Sequence, residues 1–432
     1  MNNAAHKLLL VFPKSEGGYW GKVRHGRAGL VSLGLSTVAA LTPPDWNVVI
    51  ADARVAPIDF NQKVDLVGIT GYTAEIPSTY TIADEFRKRG VPVVLGGVHV
   101  SALPSEALEH ADAVIIGEAE GVWEKLLADF AAGAMQSTYR SEKFCSMEQM
   151  KIPRRDLLNR KMYTSFNSLQ ATRGCPFDCD FCAVTGVFGR KFRTRPVEDV
   201  LNEIRTFDTR DFLFADDNIC GKPDYAKELF RQLIPLNKKW GGQTSITIAK
   251  DDELLNLYAK SGGRYAFIGI ESLSQKNLQD INKSWNKAID YEQAIRKIHR
   301  AGINIIGSFI FGLDDDEPFV FRHTFDFIQK TRIAAAQFHI LTPFPGTRLY
   351  GRMEKDGRII DRDWSKYHTS EVVFQPAKMT IKELQDGYSW IFRQTYSARS
   401  VLSRVFRSLR GIPYRTAVNI SYRRKAMLTP IA

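Results

Sequence analysis

The stretch Ser168–Gly186 reads SLQATRGCPFDCDFCAVTG, and its cysteines, Cys175, Cys179 and Cys182, decide how the rest of the chain is read. They stand at C-x3-C-x2-C spacing directly after a β-rich run, on a loop that also holds Arg173, Gly174 and Pro176. Three thiolates on one tight loop suit three corners of a cubane iron–sulfur cluster and leave one iron without a protein ligand. A structural zinc site is normally closed by four ligands, and no histidine occurs between His110 and His299 to supply the fourth. The bland alternative, three buried thiols without a metal, fits poorly with such tight clustering. The other two cysteines, Cys145 and Cys220, are too few for a second four-cysteine cluster and read as structural thiols. The distribution argues for one local site rather than a disulfide framework.

Downstream of Ser168 six β-rich runs alternate with helical patterns, at 168–174, 211–218, 242–249, 265–272, 304–312 and 335–344. Six β/α units predict a partial barrel over 166–350, with polar groups gathered at the C-terminal strand ends. Upstream, over 1–135, the runs KLLLVFP, NVVIADA, DLVGITGYT, PVVLGGVHV and AVIIGEAE alternate with helical patterns near 28–41, 76–89, 105–110 and 122–132. Such alternation predicts a Rossmann-like parallel sheet covered on both faces. In these sheets ligands bind beyond the carboxyl ends of the strands. The fold class is therefore α/β, with a connector over 136–165 and a helical, basic extension over 351–432.

The chain has 432 residues, 44% hydrophobic and 25% charged, which excludes disordered, collagenous and disulfide-scaffold classes. No apolar run approaches the ~18 residues that span a bilayer, and LLLVF near the start is too short for a secretory signal. A cytoplasmic location is expected. The net charge of +11 is uneven: from Gly387 onward there are nine basic residues and no acidic one. A basic tail on a near-neutral body argues against a nucleic-acid partner. Val401, Leu402, Val405, Phe406 and Leu409 form an apolar stripe, with Arg404, Arg407 and Arg410 opposite. That stretch either docks on the open side or the helix ring of the barrel, apolar face inward, or lies peripherally on an anionic membrane.

The motif TRGCPFDCDFC, with an aromatic immediately before the third cysteine, resembles the radical S-adenosylmethionine (SAM) superfamily. The resemblance implies a [4Fe-4S] cluster on Cys175, Cys179 and Cys182, whose unique iron chelates SAM. One-electron reduction then cleaves SAM to methionine and a 5′-deoxyadenosyl radical, with flavodoxin or ferredoxin as electron donor. By the same resemblance Phe181 packs near the adenine. Asp216, Asp217 and Asn218 stand where the family has a Gly-Gly-Glu-type contact to the SAM ammonium, and an acidic group there makes physical sense. Gln243 and Ser245, two apart on the third strand, would share one face and reach SAM. Glu271 would meet the ribose or the amino acid moiety. Ser308 and Gly312 belong to the fifth-strand pattern beside the adenine. Arg190, Lys191, Arg193 and Arg195 either neutralise the cluster or SAM carboxylate, or form a solvated helix start. For each lone polar residue the competing reading is a helix cap or a loop contact.

Two subfamilies join a Rossmann-like domain to this barrel. The tRNA methylthiotransferases carry three further cysteines in that domain, whereas here the first cysteine is Cys145. The turns ITGYT, VVLGGVHV and IIGEAE instead resemble the cobalamin-binding branch. That resemblance implies a corrin pocket lined by Thr70, Tyr72, Thr73, Gly96, Gly97, Val98, His99, Gly117, Glu118 and Glu120. The Asp-x-His-x-x-Gly signature that supplies an axial histidine to cobalt is missing, and the second strand ends ADARVAPID. His99 is more readily a packing residue than a cobalt ligand. The implied activity is cobalamin-dependent methylation of an unactivated carbon of a small-molecule or lipid-like substrate. A non-methylating radical rearrangement or cyclisation, or a non-catalytic iron–sulfur redox protein, stays open, and the substrate is not legible.

Overall fold

The computed structural model describes residues 6–17, 25–26, 28–406 and 411–428. Its first part holds strands β1 (His6–Phe12), β2 (Ala28–Leu30), β3 (Trp46–Asp52), β4 (Leu66–Thr70), β5 (Val93–Gly96), β6 (Ala113–Ile116) and β7 (Thr138–Arg140). Six of them form one parallel sheet in the order β3-β1-β4-β5-β6-β7. The central runs are apolar because both faces are covered: Leu8, Leu9 and Val11 of β1 and Leu66 and Val67 of β4 have no accessible surface. The chain leaves β1 for β3 on one side and reaches β4 on the other. The crevice at that reversal opens beside Thr70, at the carboxyl ends of the strands.

Two local departures from the sequence reading follow from weak signals. The expected helix at 28–41 begins only at Leu33, with Ser32 capping Leu35 N–H, and Ala28–Leu30 is extended and pairs with β8 (Tyr163–Ser165). β7 lies within the stretch read as a connector and adds an edge strand beside β6. Only three residues long, with Tyr139 alone buried, it carries no hydrophobic run to announce it.

The second sheet comprises β9 (Ser168–Leu169), β12 (Asp211–Phe214), β13 (Lys239–Thr244), β14 (Gly263–Glu271), β15 (Asn304–Phe311) and β16 (Ala335–Ile340), parallel and adjacent in sequence order. Between β9 and β12, the short strands β10 (Thr172–Arg173) and β11 (Arg193–Thr194) pair antiparallel and clasp the cysteine loop. The helix-facing side of the barrel packs aromatically: Trp240 meets Phe214, Phe230 and Tyr258 at 4.3–5.1 Å between centroids. The lumen-facing row runs through Gln243, Phe267 and Ile306, and one step along through Gly269, Ser308 and Gln337. The third strand stops at Thr244. Ser245 follows it still in extended conformation, and its hydroxyl caps a 3-10 turn by accepting from Thr247 N–H. The strand expected to run on to residue 249 ends sooner, because the ITIAK run coils instead of extending.

The basic tail docks on the barrel. Tyr414 of the helix Ile412–Leu428 stacks on lumen-facing Tyr265 at 3.6 Å. Arg415 donates to Asn304 Oδ1 at 3.1 Å and Asn419 to the Ala334 carbonyl at 2.8 Å, both at the amino ends of β15 and β16. In the preceding helix, Ala398–Val405, the expected inward stripe holds only in part, for Val405 is buried and Val401 packs on the core. Arg404 is fully buried, bonding the Thr395 and Ser400 carbonyls over the Tyr396 ring, while Leu402 and Phe406 are exposed. A guanidinium that finds unpaired helix-end carbonyls and an aromatic face is satisfied in the interior. Arg407, Leu409 and Arg410 lie outside the described residues. Among the described residues no helix is long and apolar enough to cross a membrane.

Candidate active site between the two domains

The cysteine loop is fastened along its whole length. At its start, buried Asp216 accepts from Ala171 N–H, Thr172 N–H and the Thr172 hydroxyl. Burial pushes this carboxyl up to about 7 against those bonds. Gly174 turns the chain at φ +84°, where a Cβ would meet the Lys191 carbonyl at 2.9 Å. At the far end Arg348 bonds Asp178 and Asp180, Leu349 N–H donates to the Asp180 carbonyl, and Asn282 holds the Asp178 carbonyl.

Cys175, Cys179 and Cys182 form no disulfide, are half-buried, and lie near enough to shift one another electrostatically. Burial pushes Cys179 up to about 12 and Cys182 up to about 11. Lys283, which the sequence reading missed, opposes that shift. Its ammonium lies 2.6 Å from Glu271 Oε1, and Glu271 sits at φ +63° where β14 ends. Burial disfavours this ammonium, but Glu271 and the facing thiols hold it above the usual lysine value. No local pattern marks Lys283, which lies in the loop INKSWN and meets Glu271 only through the fold.

Around these groups, Asp217 has a buried Oδ2 with no hydrogen-bond partner, and burial raises its carboxyl to about 6, opposed by Arg173. Its charge reaches Cys175, Cys182 and, across the domain boundary, Tyr72. Asn218 is turned toward Thr244, 3.4 Å from its hydroxyl. Phe181 packs against the barrel core, and Gly312 takes φ +91° with its N–H on buried Asp316. The basic residues after the loop are largely committed: Arg190 pairs with Asp178, Arg195 with buried Glu203, and Arg193 with Glu118.

The Arg193 pair belongs to a junction between the domains. Glu118, just past β6, receives Arg173 and Arg193 at 2.8 Å each and the Cys145 N–H at 2.9 Å. Glu120 receives the other arm of Arg173 at 2.7 Å. Arg173 stands two residues before Cys175, so the end of the first sheet grips the base of the cysteine loop. Cys145 is part of this junction, and burial pushes its thiol up to about 11.

Comparison with known proteins decides what this arrangement is. A radical SAM superfamily signature matches residues 169–328, a B12-binding domain signature residues 27–127, and a domain of unknown function (DUF4070) residues 347–429. The chain is 35% identical to bacteriochlorophyllide d C-12(1)-methyltransferase of Chlorobaculum tepidum, covering 92% of this chain and 89% of that one. It is 30% identical to the same organism's bacteriochlorophyllide d C-8(2)-methyltransferase, covering 87% and 90%. In structure it resembles the radical SAM methyltransferase TsrM from Kitasatospora setae, solved with cobalamin and a [4Fe-4S] cluster bound. The TM-score is 0.69 over 98% of this chain and all of that one, at 15% identity, a likeness of fold. The chain belongs to the radical SAM superfamily, in the branch with a B12-binding domain.

The cofactors of this radical SAM enzyme are a [4Fe-4S] cluster, SAM and cobalamin, and its residues fit them. Three clustered thiols without a fourth protein ligand suit an open cluster. At the strand ends of the B12-binding domain, Gly97 and Gly117 take φ +110° and +86°, and Tyr72 is 60% exposed at the mouth. Thr70, Gly96, Gly97 and Gly117 sit at the ends of β4, β5 and β6, with Thr73 and Val98 each opening the following helical turn. His99 does not share that exposure. It is buried, with Nε2 3.2 Å from Glu106 Oε1 and its ring edge-on to Trp364. Glu118 and Glu120 face Arg173 and Arg193 rather than open space.

Proposed function

We propose that this radical SAM enzyme is a cobalamin-dependent methyltransferase acting on an unactivated carbon of a tetrapyrrole-type small molecule. The observation that carries the reading is the Arg173 junction. It joins the loop bearing Cys175, Cys179 and Cys182 to the strand end after β6, and Asp217 beside that loop lies within electrostatic reach of Tyr72 after β4. The two bacteriochlorophyllide methyltransferases, similar over nearly their full length, support methylation and the substrate class. When bound, the cluster with SAM supplies one-electron cleavage chemistry and cobalamin supplies methyl transfer, while the protein positions and shields them.

Within that reading Cys175, Cys179 and Cys182 hold the cluster. Asp217, with its unpartnered oxygen, accepts from the SAM ammonium, and Glu271 with Lys283 meets the polar part of SAM. Gln243 and Ser308 line the lumen beneath it, Phe181 packs beside it, and Gly312 makes the positive-φ turn at the end of β15, its missing side chain leaving room for Leu384 and Phe374. Asp216 and Asn218 act as positioning residues for the loop and for β13. Thr70, Tyr72, Thr73, Gly96, Gly97, Val98 and Gly117 cradle the corrin, and Glu118 and Glu120 fix the approach of the two domains. A flavodoxin or ferredoxin supplies electrons in the cytoplasm.

The exposed Leu402, Phe406 and Ile420, with Arg399 and Arg424 beside them in sequence, suit peripheral contact with an anionic membrane. Flotation with anionic liposomes checks this, and absence from the lipid fraction overturns it. The main test is anaerobic reconstitution with iron, sulfide and cobalamin, followed by assay with bacteriochlorophyllide and SAM. Methylation yields both 5′-deoxyadenosine and S-adenosylhomocysteine. Deoxyadenosine alone would indicate rearrangement, and neither product under reductant would refute the enzyme reading.

A further inference from the structure

The outer face of the cysteine loop has features that none of the chemistry above uses. Phe177, between Cys175 and Cys179, stacks on Trp285 with ring centroids 4.1 Å apart and planes 8° from parallel. Trp285 in turn forms a wall of an open groove of about 250 Å³, whose rim carries Lys250, Lys287 and Lys297 with Asp290. Lys297 is paired with Asp252, whereas among the described residues Lys250 and Lys287, both exposed, form no ion pair. Between Lys287 and Asp290, Ile289 is 92% exposed, the most solvent-exposed large apolar residue of the described chain.

Across the loop the charge has the same sign outward. Asp178 and Asp180 lie underneath, 13% and 15% exposed, and the arginines that pair with them stand above: Arg190 at 74%, Arg348 at 51% and Arg352 at 40%. Around the loop the arginine heads stand outside their carboxylates, and at the groove Lys250 and Lys287 stand free, among the described residues, beside exposed Asp252 and Asp290. With one protruding apolar side chain, this surface suits an acidic partner with an apolar contact at its centre.

We propose that this groove and its basic rim are the docking site of the acidic one-electron carrier protein, with Trp285 and Phe177 as the contact between carrier and cysteine loop. The proposal rests on the reading above that a protein carrier reduces the cluster. One electron passes from the reduced carrier, which leaves oxidised by one electron, and no bond forms or breaks at the surface. The aromatic stack puts the groove wall one ring from the backbone between two cluster ligands, so the carrier needs no access to the substrate cleft.

The test compares wild type with Lys250→Glu/Lys287→Glu and with Ile289→Asp, all reconstituted. Calorimetric titration with flavodoxin, and in parallel with an acidic [2Fe-2S] ferredoxin, gives Kd at low ionic strength. SAM cleavage is then measured with each pre-reduced carrier and with dithionite. The expected result is a Kd for at least one carrier raised about tenfold or more in the variants, salt-sensitive binding in wild type, and unchanged dithionite-driven cleavage. Unaltered Kd in the variants, or no binding of either carrier to wild type, overturns the proposal. Equal loss with dithionite also overturns it, because the surface would then serve the fold. Failure of wild type to cleave SAM with dithionite would instead sink the enzymatic reading itself.

Discussion

Among single residues, the cysteines and the acids that address them carry the most. If Cys179 holds the cluster as proposed, Cys179→Ala removes one of its three corners, and reconstituted protein should lose its iron–sulfur absorption and its SAM cleavage together. Glu118 illustrates a buried carboxylate whose worth lies in its partners. Burial alone would raise its pKa, but Arg193, Arg173 and the Cys145 N–H together hold it below the ordinary range. A depressed folded value means that its stabilisation is present at neutral pH and above the unfolded glutamate value of about 4.3. It is lost as the pH falls through the folded value. Glu118→Gln should lower stability by about 3 kcal/mol, since it leaves two buried guanidiniums underpaired. Urea unfolding at pH 7 should show that deficit, and it should shrink below pH 4. The grouping of Cys175, Cys179 and Cys182 on one loop was legible from spacing, and the position of Asp217 beside them from its place after β12. The true occupants of Glu118 and Glu120 were not, because their arginine partners lie more than fifty residues away in sequence.

For the elements, the turns after strands do more than the strands. The turn from β5 into the helix Val98–Ala102 needs Gly97 at φ +110°, and a Cβ there would lie 2.8 Å from Thr70 Oγ1. Gly97→Ala should therefore cost about 1–3 kcal/mol and loosen the strand end beside Thr70. The check is paired: a lowered urea midpoint, and weaker retention of cobalamin on gel filtration. Most strands were readable because buried parallel strands are continuous apolar runs. β7 and the ITIAK turn were not, since a three-residue edge strand and a 3-10 coil have no period to detect.

For the whole molecule, the tail and the interdomain junction decide the assembly. The helix Ile412–Leu428 seats Tyr414 on Tyr265 and closes the amino end of the partial barrel. Tyr414→Ala should cost about 2 kcal/mol through the lost stack and its contact area. Thermal unfolding followed by fluorescence should report a lower midpoint, with the dithionite-driven chemistry of surviving protein intact. The charge that looked like a surface property is partly interior, as Arg404 and Arg415 are fully buried on carbonyl and amide oxygens. Composition counts charges but does not record which ones the fold satisfies internally.

By itself the sequence determined that three cysteines share one loop at a spacing that suits an open cluster, and that two α/β units flank the connector. Both rest on local spacing and on apolar periodicity, which short-range sterics and burial impose on the chain. Only the tertiary structure decided that Glu118 and Glu120 clasp the cysteine loop, that Lys283 meets Glu271, and that His99 turns inward to Glu106. It also decided that the basic tail plugs the barrel. Each of these is a pairing of groups far apart in sequence, selected because burying one charged or polar group requires a partner that only the folded chain brings within reach.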